Sequence, residues 1–415
     1  MIGKLRLKLI DLIRGTKVLP VLDELKKHQY LPENELEVIR KSRLDKVFGI
    51  AKNYTTYYSK FNSFEEVPVL TKEIIRQNTP GLISSAYRRK LFKKQSGGST
   101  GVPLVYYTTS ESQSYLWASI ILSWETAGYQ LGDKVGFLAG TSLIKVGLPN
   151  KIFYALFNIE MYPATPLNQQ VLEAHAEDMK RKKVKIIYGY AHVINELADY
   201  IKTKGLGYLP DLKGIVCTAE ILTDDMRKNI TDGFGVRVVN QYGCHEGGAS
   251  AFECDHGRMH LISSKIVYET HEDGFIVSTD LTNEGFLMLK YDTGDMLDFA
   301  DDKCTCGRTF PVVNRVIGRS SDLVMDKYNN KLHDSFLYFL FKYEPSVRQY
   351  QVVYDEDSLT ITIKTNCEKK EEEYSKYIEI VKEQVKFNAY HLLLNEPFIL
   401  LKNGKHKQII DNRKH

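Results

Sequence analysis

Long apolar runs are missing from this 415-residue chain: the longest, at 115–124, is about half of what a membrane-crossing helix needs. Cysteine is scarce, and six residues are too few for a disulfide scaffold. No charge sign is in excess, since 56 Lys+Arg against 52 Asp+Glu leave a net +4, which gives no case for a nucleic-acid partner. Repeats and low-complexity tracts are absent, so collagen and coiled coils are excluded. The first residues lack the continuous apolar core of a signal peptide, because Lys4, Arg6, Lys8, Asp11 and Arg14 interrupt them. The expected location is therefore the cytoplasm. That segment predicts a packed, solvated helix; a basic amphipathic helix resting on an anionic membrane is the alternative.

What is present is ordinary globular material, 43% hydrophobic and 26% charged, enough for a large core and about two to three domains. Residues 1–90 read as mostly helical, including a helix at 35–52 with Asn34 as its cap. Beyond residue 100, short apolar runs at 135–138, 185–188, 214–217 and 236–240 read as buried strands. Helical spacing separates them at 172–183, 192–204 and 224–234, with Asn168 and Thr223 as caps of the first and last. Alternation of this kind predicts an α/β fold with a largely parallel sheet. Strands at 259–268, 274–280 and 285–291 then suggest a β-rich subdomain over 258–317. A hairpin of 348–354 and 358–365, a charged helix and a strand at 398–401 make a small α+β domain at 318–415, hinged at the polar stretch 318–322.

Four segments carry chemistry. Gln95-Ser96-Gly97-Gly98-Ser99-Thr100-Gly101 offers turning backbone N–H groups and hydroxyls suited to phosphate oxygens, though it is not a Walker loop. Asn240-Gln241-Tyr242-Gly243-Cys244-His245-Glu246 follows a buried strand, where open α/β sheets place ligands. Tyr242 provides an aromatic face and Glu246 a carboxylate for a hard cation; the plain alternative is a strand-to-helix turn. In Tyr291-Asp292-Thr293-Gly294-Asp295, Asp295 can accept from both hydroxyls of a ribose, with Arg319 as a further donor. Near the end, Lys405 sits on a glycine-containing turn.

Together with Val69-Leu70-Thr71-Lys72, Thr218-Ala219-Glu220, Cys304-x-Cys306-Gly307-Arg308 and Gly318-Arg319, these segments resemble the adenylate-forming superfamily, most closely its phenylacetate–CoA ligase-like family with the capsular-polysaccharide branch. The resemblance spans roughly residues 65–410. It implies a large N-terminal adenylate-forming domain, 1–317, and a small mobile C-terminal domain, 318–415. It also implies that a carboxylate attacks ATP in the presence of Mg²⁺ to give an acyl-adenylate, which then passes to a thiol, CoA above all. The alternatives are transfer to an amino sugar or carrier in surface-polysaccharide assembly, or an inactive nucleotide-binding relic. By the same resemblance, Ser96, Gly97, Gly98, Ser99, Thr100 and Gly101 hold phosphates. Ala219, Glu220, Asn240, Gln241, Tyr242 and Gly243 border the nucleotide, and Asp295 with Arg319 binds its ribose. Glu246 carries Mg²⁺, Lys405 bridges carboxylate and phosphate, and Asp322 is the hinge. His245 stands where the family has a small hydroxyl residue and joins the catalytic set; Gln408 replaces a family arginine. The partners expected are a small carboxylic acid and CoA, with membrane-bound polysaccharide machinery and a second copy as further candidates.

Cys254, His260, Cys304 and Cys306 supply three thiols and an imidazole, enough for a structural zinc ion closing a loop of about 44 residues. His256 competes as a ligand. Three reduced buried thiols are the alternative, and Cys217, Cys244 and Cys367 read as isolated.

Overall fold

The computed structural model describes residues 2–96, 104–140, 147–205, 209–270, 275–319, 323–333, 336–337, 340–341, 344, 346–365, 371–400 and 406–414. They form two compact units, one ending at Val316 and one starting at Ile317. The first unit opens with helices α1 (Ile2–Arg14), α2 (Val18–His28), α3 (Glu33–Tyr54) and α4 (Lys72–Asn78). Asn34 does not cap α3. Pro32 does, with φ −56°, and its carbonyl accepts from the N–H groups of Glu35 and Leu36.

A hairpin of β1 (Phe92–Gln95) and β2 (Val105–Thr108) leads into α5 (Ser110–Thr126). The alternating region follows: β3 (Val135–Ala139), α6 (Leu148–Phe157), β4 (Ile159–Pro163), α7 (Gln169–Arg181), β5 (Ile186–Gly189), α8 (Ala191–Lys204), β6 (Gly214–Thr218), α9 (Asp224–Phe234) and β7 (Arg237–Cys244). Strands β3 to β7 are parallel neighbours, and β3, β5 and β6 are buried along their whole length, which explains their continuous apolar runs. Asn168 and Thr223 cap α7 and α9 through side-chain bonds to Val171 and Met226, as their positions predict. Alternate side chains enter different layers. Phe137, Tyr188, Val216 and Val239 pack with α1, α2, α5 and α6, whereas Leu138, Ile187, Ile215 and Val238 pack with α7, α8 and α9.

The sheet continues antiparallel through β8 (Ala249–Glu253) and β9 (Met259–Leu261). With β10 (Ile266–Thr270), β11 (Phe275–Asp280), β12 (Tyr291–Phe299) and β13 (Val312–Arg319) it has eleven strands among the described residues, in the order β10-β11-β12-β13-β9-β8-β7-β6-β5-β3-β4. Two expected strands differ. The run at 259–268 is broken by a 3-10 turn, Ser263–Lys265. The run at 285–291 is no strand, although Phe286, Leu287 and Leu289 are fully buried. Tyr58 replaces the ladder there: its hydroxyl donates to the Leu287 carbonyl (3.2 Å) and accepts from the Leu289 N–H (3.0 Å).

The second unit holds β14 (Leu323–Met325), β15 (Lys331–His333), β16 (Val347–Tyr354), β17 (Ser358–Thr365), α10 (Ser375–Gln384), β18 (Ala389–Leu394) and β19 (Ile409–Asp411). The hairpin is as expected, with the sheet order β18-β17-β16-β19. Among the described residues the expected strand at 398–401 is reduced to an isolated bridge between Leu400 and His406, and residue 401 lies outside them. Both backbone bonds of Ile399 go to the side-chain amide of Gln351, and β18 and β19 take the places beside the hairpin.

Candidate active site

Because β5, β6 and β7 run parallel, their C-terminal ends open on one edge of the sheet. Thr218 pairs with Gln241 there, which sets Ala219 and Glu220 beside the 240–243 segment. Ala219 has φ +67°, a left-handed conformation costing a residue with a Cβ about 1–2 kcal/mol. Glu220 is held by α8: its carboxylate accepts from the His192 backbone N–H (3.2 Å) and lies 2.8 Å from His192 Nδ1. Neither partnership is visible from spacing in the sequence.

Tyr242 and Asp295 meet directly. The phenol Oη donates to Asp295 Oδ2 at 2.7 Å, and both residues are buried. The 292–295 segment lies on β12 rather than in a free turn, pinned by Thr293 Oγ1 donating to the Ile276 carbonyl and by Asp292 accepting from the Gly294 N–H. At the start of the 240–243 segment, the Asn240 backbone N–H donates to Glu253, itself paired with the Arg227 guanidinium. Gln241 is buried, and its Oε1 has no hydrogen-bond partner among the described residues. Gly243 is exposed, with nothing closer than 3.6 Å to where a Cβ would stand.

Glu246 follows in a turn that enters the antiparallel strand β8, not a helix. His245 is exposed and Glu246 half-buried, with no ion pair to Glu246 among the described residues. The turn is seated on β11. A Cβ on Gly248, whose φ is +71°, would stand 2.7 Å from Asp280 Cβ, so only glycine fits. The carbonyl of Gly247 accepts from Ser278 Oγ (2.8 Å), and that of Gly248 from Lys265 Nζ (2.5 Å). Sequence reasoning missed Lys265 and its neighbour Asp280. Burial lowers the Lys265 ammonium to about 8, opposed by the charges of Asp280 and Cys244, and burial raises the Asp280 carboxyl. Tyr106, buried beside the same group, is raised by burial and then by Glu246, Cys244 and Asp280. Apolar pairs stand on both sides of Lys265, Leu261-Ile262 and Ile266-Val267, but two serines intervene and nothing local marks it as a site residue.

Ser96 closes the base of the glycine-rich segment, exchanging bonds with Leu104 through its N–H and its Oγ, each at 2.9 Å. Gly97, Gly98, Ser99, Thr100 and Gly101 lie outside the described residues, as do Asp322, Lys405 and Cys367; Arg319 ends β13.

A second cluster lies where β8 and β9 meet the 304–307 turn. The ligand atoms of Cys254, His260, Cys304 and Cys306 all fall within 4.8 Å of one another. The Cys254 and Cys304 sulfurs are 3.7 Å apart, and Cys306 Sγ is 3.4 Å from His260 Nε2. Two thiolates at ~2.3 Å from a tetrahedral zinc stand about 3.8 Å apart, so the donor set fits that ion. His260 Nδ1 lies 3.0 Å from the Phe310 carbonyl, which turns Nε2 toward the thiols. Burial, with the neighbouring thiols, raises Cys304 to about 11. At Cys306 burial also pushes upward, but the backbone N–H and guanidinium of Arg308 outweigh it and lower the thiol. His256 is exposed and bonded to Thr305, outside the cluster.

The sheet order and the helix layers define the fold of the adenylate-forming CoA ligases. A 2-hydroxyisobutyryl-CoA ligase in the postadenylation state, in complex with R3-HIB-AMP, matches with a TM-score of 0.71 over 94% of this chain and 92% of its own, at 16% identity. The anthranilate CoA ligase AuaEII in complex with anthranoyl-AMP matches with 0.52 over 80% and 69%, at 15% identity. In sequence, the chain is similar to Protein CapK of Staphylococcus aureus, 26% identical over 324 residues, 71% of this chain and 70% of that protein. It is also similar to the phenylacetate-coenzyme A ligase of Thermus thermophilus, 23% identical over 356 residues, 78% and 79% of the two chains. The resemblance read from the sequence motifs is borne out by these relatives. No protein-family profile matches the chain.

Proposed function

We propose that this protein is an AMP-forming acid–thiol ligase: it joins a carboxylic acid to the α-phosphate of ATP, releases pyrophosphate, and passes the acyl group to CoA. The observation that carries this reading is the Tyr242–Asp295 bond at the open edge of the parallel strands, beside Glu220 and the strained Ala219. The fold is one whose solved members hold acyl-adenylates.

In this reading Ser96 to Gly101 hold the β- and γ-phosphates. Ala219, Glu220, Asn240, Gln241, Tyr242 and Gly243 border the adenine, and Asp295 with Arg319 binds the ribose. His245 faces the reacting carboxylate and phosphate. The half-buried Glu246, free of ion pairs among the described residues, suits Mg²⁺, which when bound neutralises phosphate charge. Residues 318–415 form the mobile domain, with Asp322 as hinge, and bring Lys405 to the adenylation step. There its ammonium offsets the charge that builds as two anions approach. Zinc held by Cys254, His260, Cys304 and Cys306 is structural, since a closed four-ligand set leaves no position for substrate.

ATP–pyrophosphate exchange with a panel of acids tests the reading. Lys405→Ala should lower exchange about a hundred- to thousandfold while sparing thioester formation from a supplied acyl-adenylate. Near-normal exchange in that variant would overturn the mechanism. Consumption of an amine acceptor in place of CoA would reassign the second step.

A further inference from the structure

Helix α1 has two apolar faces, and the body of the protein uses one. Gly3, Leu7 and Ile10 are buried. Gly3 approaches the 131–132 backbone so closely that a Cβ would stand 2.0 Å from the Leu131 carbonyl oxygen. The Arg14 guanidinium lies 4.3 Å over the ring of Phe153 on α6, and Asp11 accepts from the Thr16 hydroxyl (2.7 Å) and the Val18 N–H (2.8 Å). These contacts fix the rotation of the helix about its axis.

On the outer side, Ile2, Leu5, Leu9, Leu12 and Ile13 are 43–80% exposed. Their spacing places them in one stripe along the helix. Twelve large apolar side chains are exposed among the described residues, and five of them belong to this stripe; Ile152, also exposed, lies on α6, which packs against α1. Exposed Lys4 and Lys8 border the stripe on one side and Arg6 on the other. The helix has a single acidic residue, Asp11, and that one is turned toward the start of α2.

We propose that α1 lies flat on an anionic lipid surface, with the stripe at the acyl boundary and Lys4, Lys8 and Arg6 meeting the headgroup phosphates. Charge complementarity selects this occupant. Basic residues beside an apolar stripe are what a negative interface attracts, whereas a second copy docked on the same face would bring the lysines of both helices together. Among the described residues no helix is long and apolar enough to cross a membrane, so α1 would lie on the bilayer rather than span it.

Co-sedimentation of the full chain with vesicles tests this. Binding is expected to phosphatidylcholine vesicles containing phosphatidylglycerol, and to weaken sharply with phosphatidylcholine alone or in high salt. Each lysine near such a surface contributes about fivefold in partition, so Lys4→Gln with Lys8→Gln should weaken binding about 25-fold. Leu5→Glu with Leu9→Glu should abolish it. All four positions are exposed, so thermal melting of these variants should match the unmodified protein and separate lost binding from lost folding. Absence of binding to anionic vesicles, or binding unaffected by the lysine pair, would overturn the proposal. So would a dimer in lipid-free buffer that Leu9→Glu dissociates, since a second copy would then cover the face.

Discussion

Tyr242 and Asp295 are 53 positions apart and share one hydrogen bond, yet each was legible separately because its own short motif marks it. Tyr242→Phe deletes the donor and removes one hydrogen bond from a buried carboxylate. The expected cost is about 1–3 kcal/mol by urea unfolding, with a raised KM for ATP. Lys265 was not legible as a site residue, since nothing in the local sequence shows that its apolar neighbours fold it under the Glu246 turn. Its folded-state pKa, about 8, is below the unfolded value of 10.5. The penalty on its buried charge is therefore fully present below pH 8 and fades as pH rises toward 10.5, because the unfolded chain binds the extra proton in that window. Relative to Lys265→Met, the unmodified protein should gain on the order of 3 kcal/mol of stability between pH 7.5 and 10.5. Parallel stability curves for the two proteins across that window would refute the assignment.

At the scale of elements, the sequence exposed what is local and concealed what is distant. Periodicity and caps located β3, β5, β6, α7 and α9, since side chains at 168 and 223 bond backbone only three residues away. The runs at 285–291 and 398–401 carry strand-like patterns, but Tyr58 and Gln351 satisfy backbone groups there from far along the chain. Length and β-propensity cannot reveal such a substitution. The four-ligand cluster was readable because residue type alone limits what can bind a soft cation. Cys304→Ser should release about one zinc per chain and lower the melting temperature. At free zinc a thousandfold above Kd, the ion adds about 4 kcal/mol to stability. Zinc-free purified protein, or equal melting with and without chelator, would return these thiols to plain core residues.

For the whole molecule, the sequence indicated an α/β body and a small α+β unit, while the order of the central sheet lay beyond it, because pairing between distant strands leaves no local trace. That order bears on biosynthesis. Strands β4 to β9 each join a neighbour already made, so the sheet can extend from β3 as the ribosome delivers the chain. Strand β13 breaks the sequence: it is made last, yet it sits between β12 and β9. Until it emerges, both of those strands present unpaired edges to other nascent chains. The residues made just before it carry Cys304 and Cys306, whose partners Cys254 and His260 are already in place on the β8–β9 side. A zinc ion held by these four residues would tie the segment before β13 to the β8–β9 side as it is made, so zinc supplied during cell-free translation should give more soluble protein than the same zinc added afterwards.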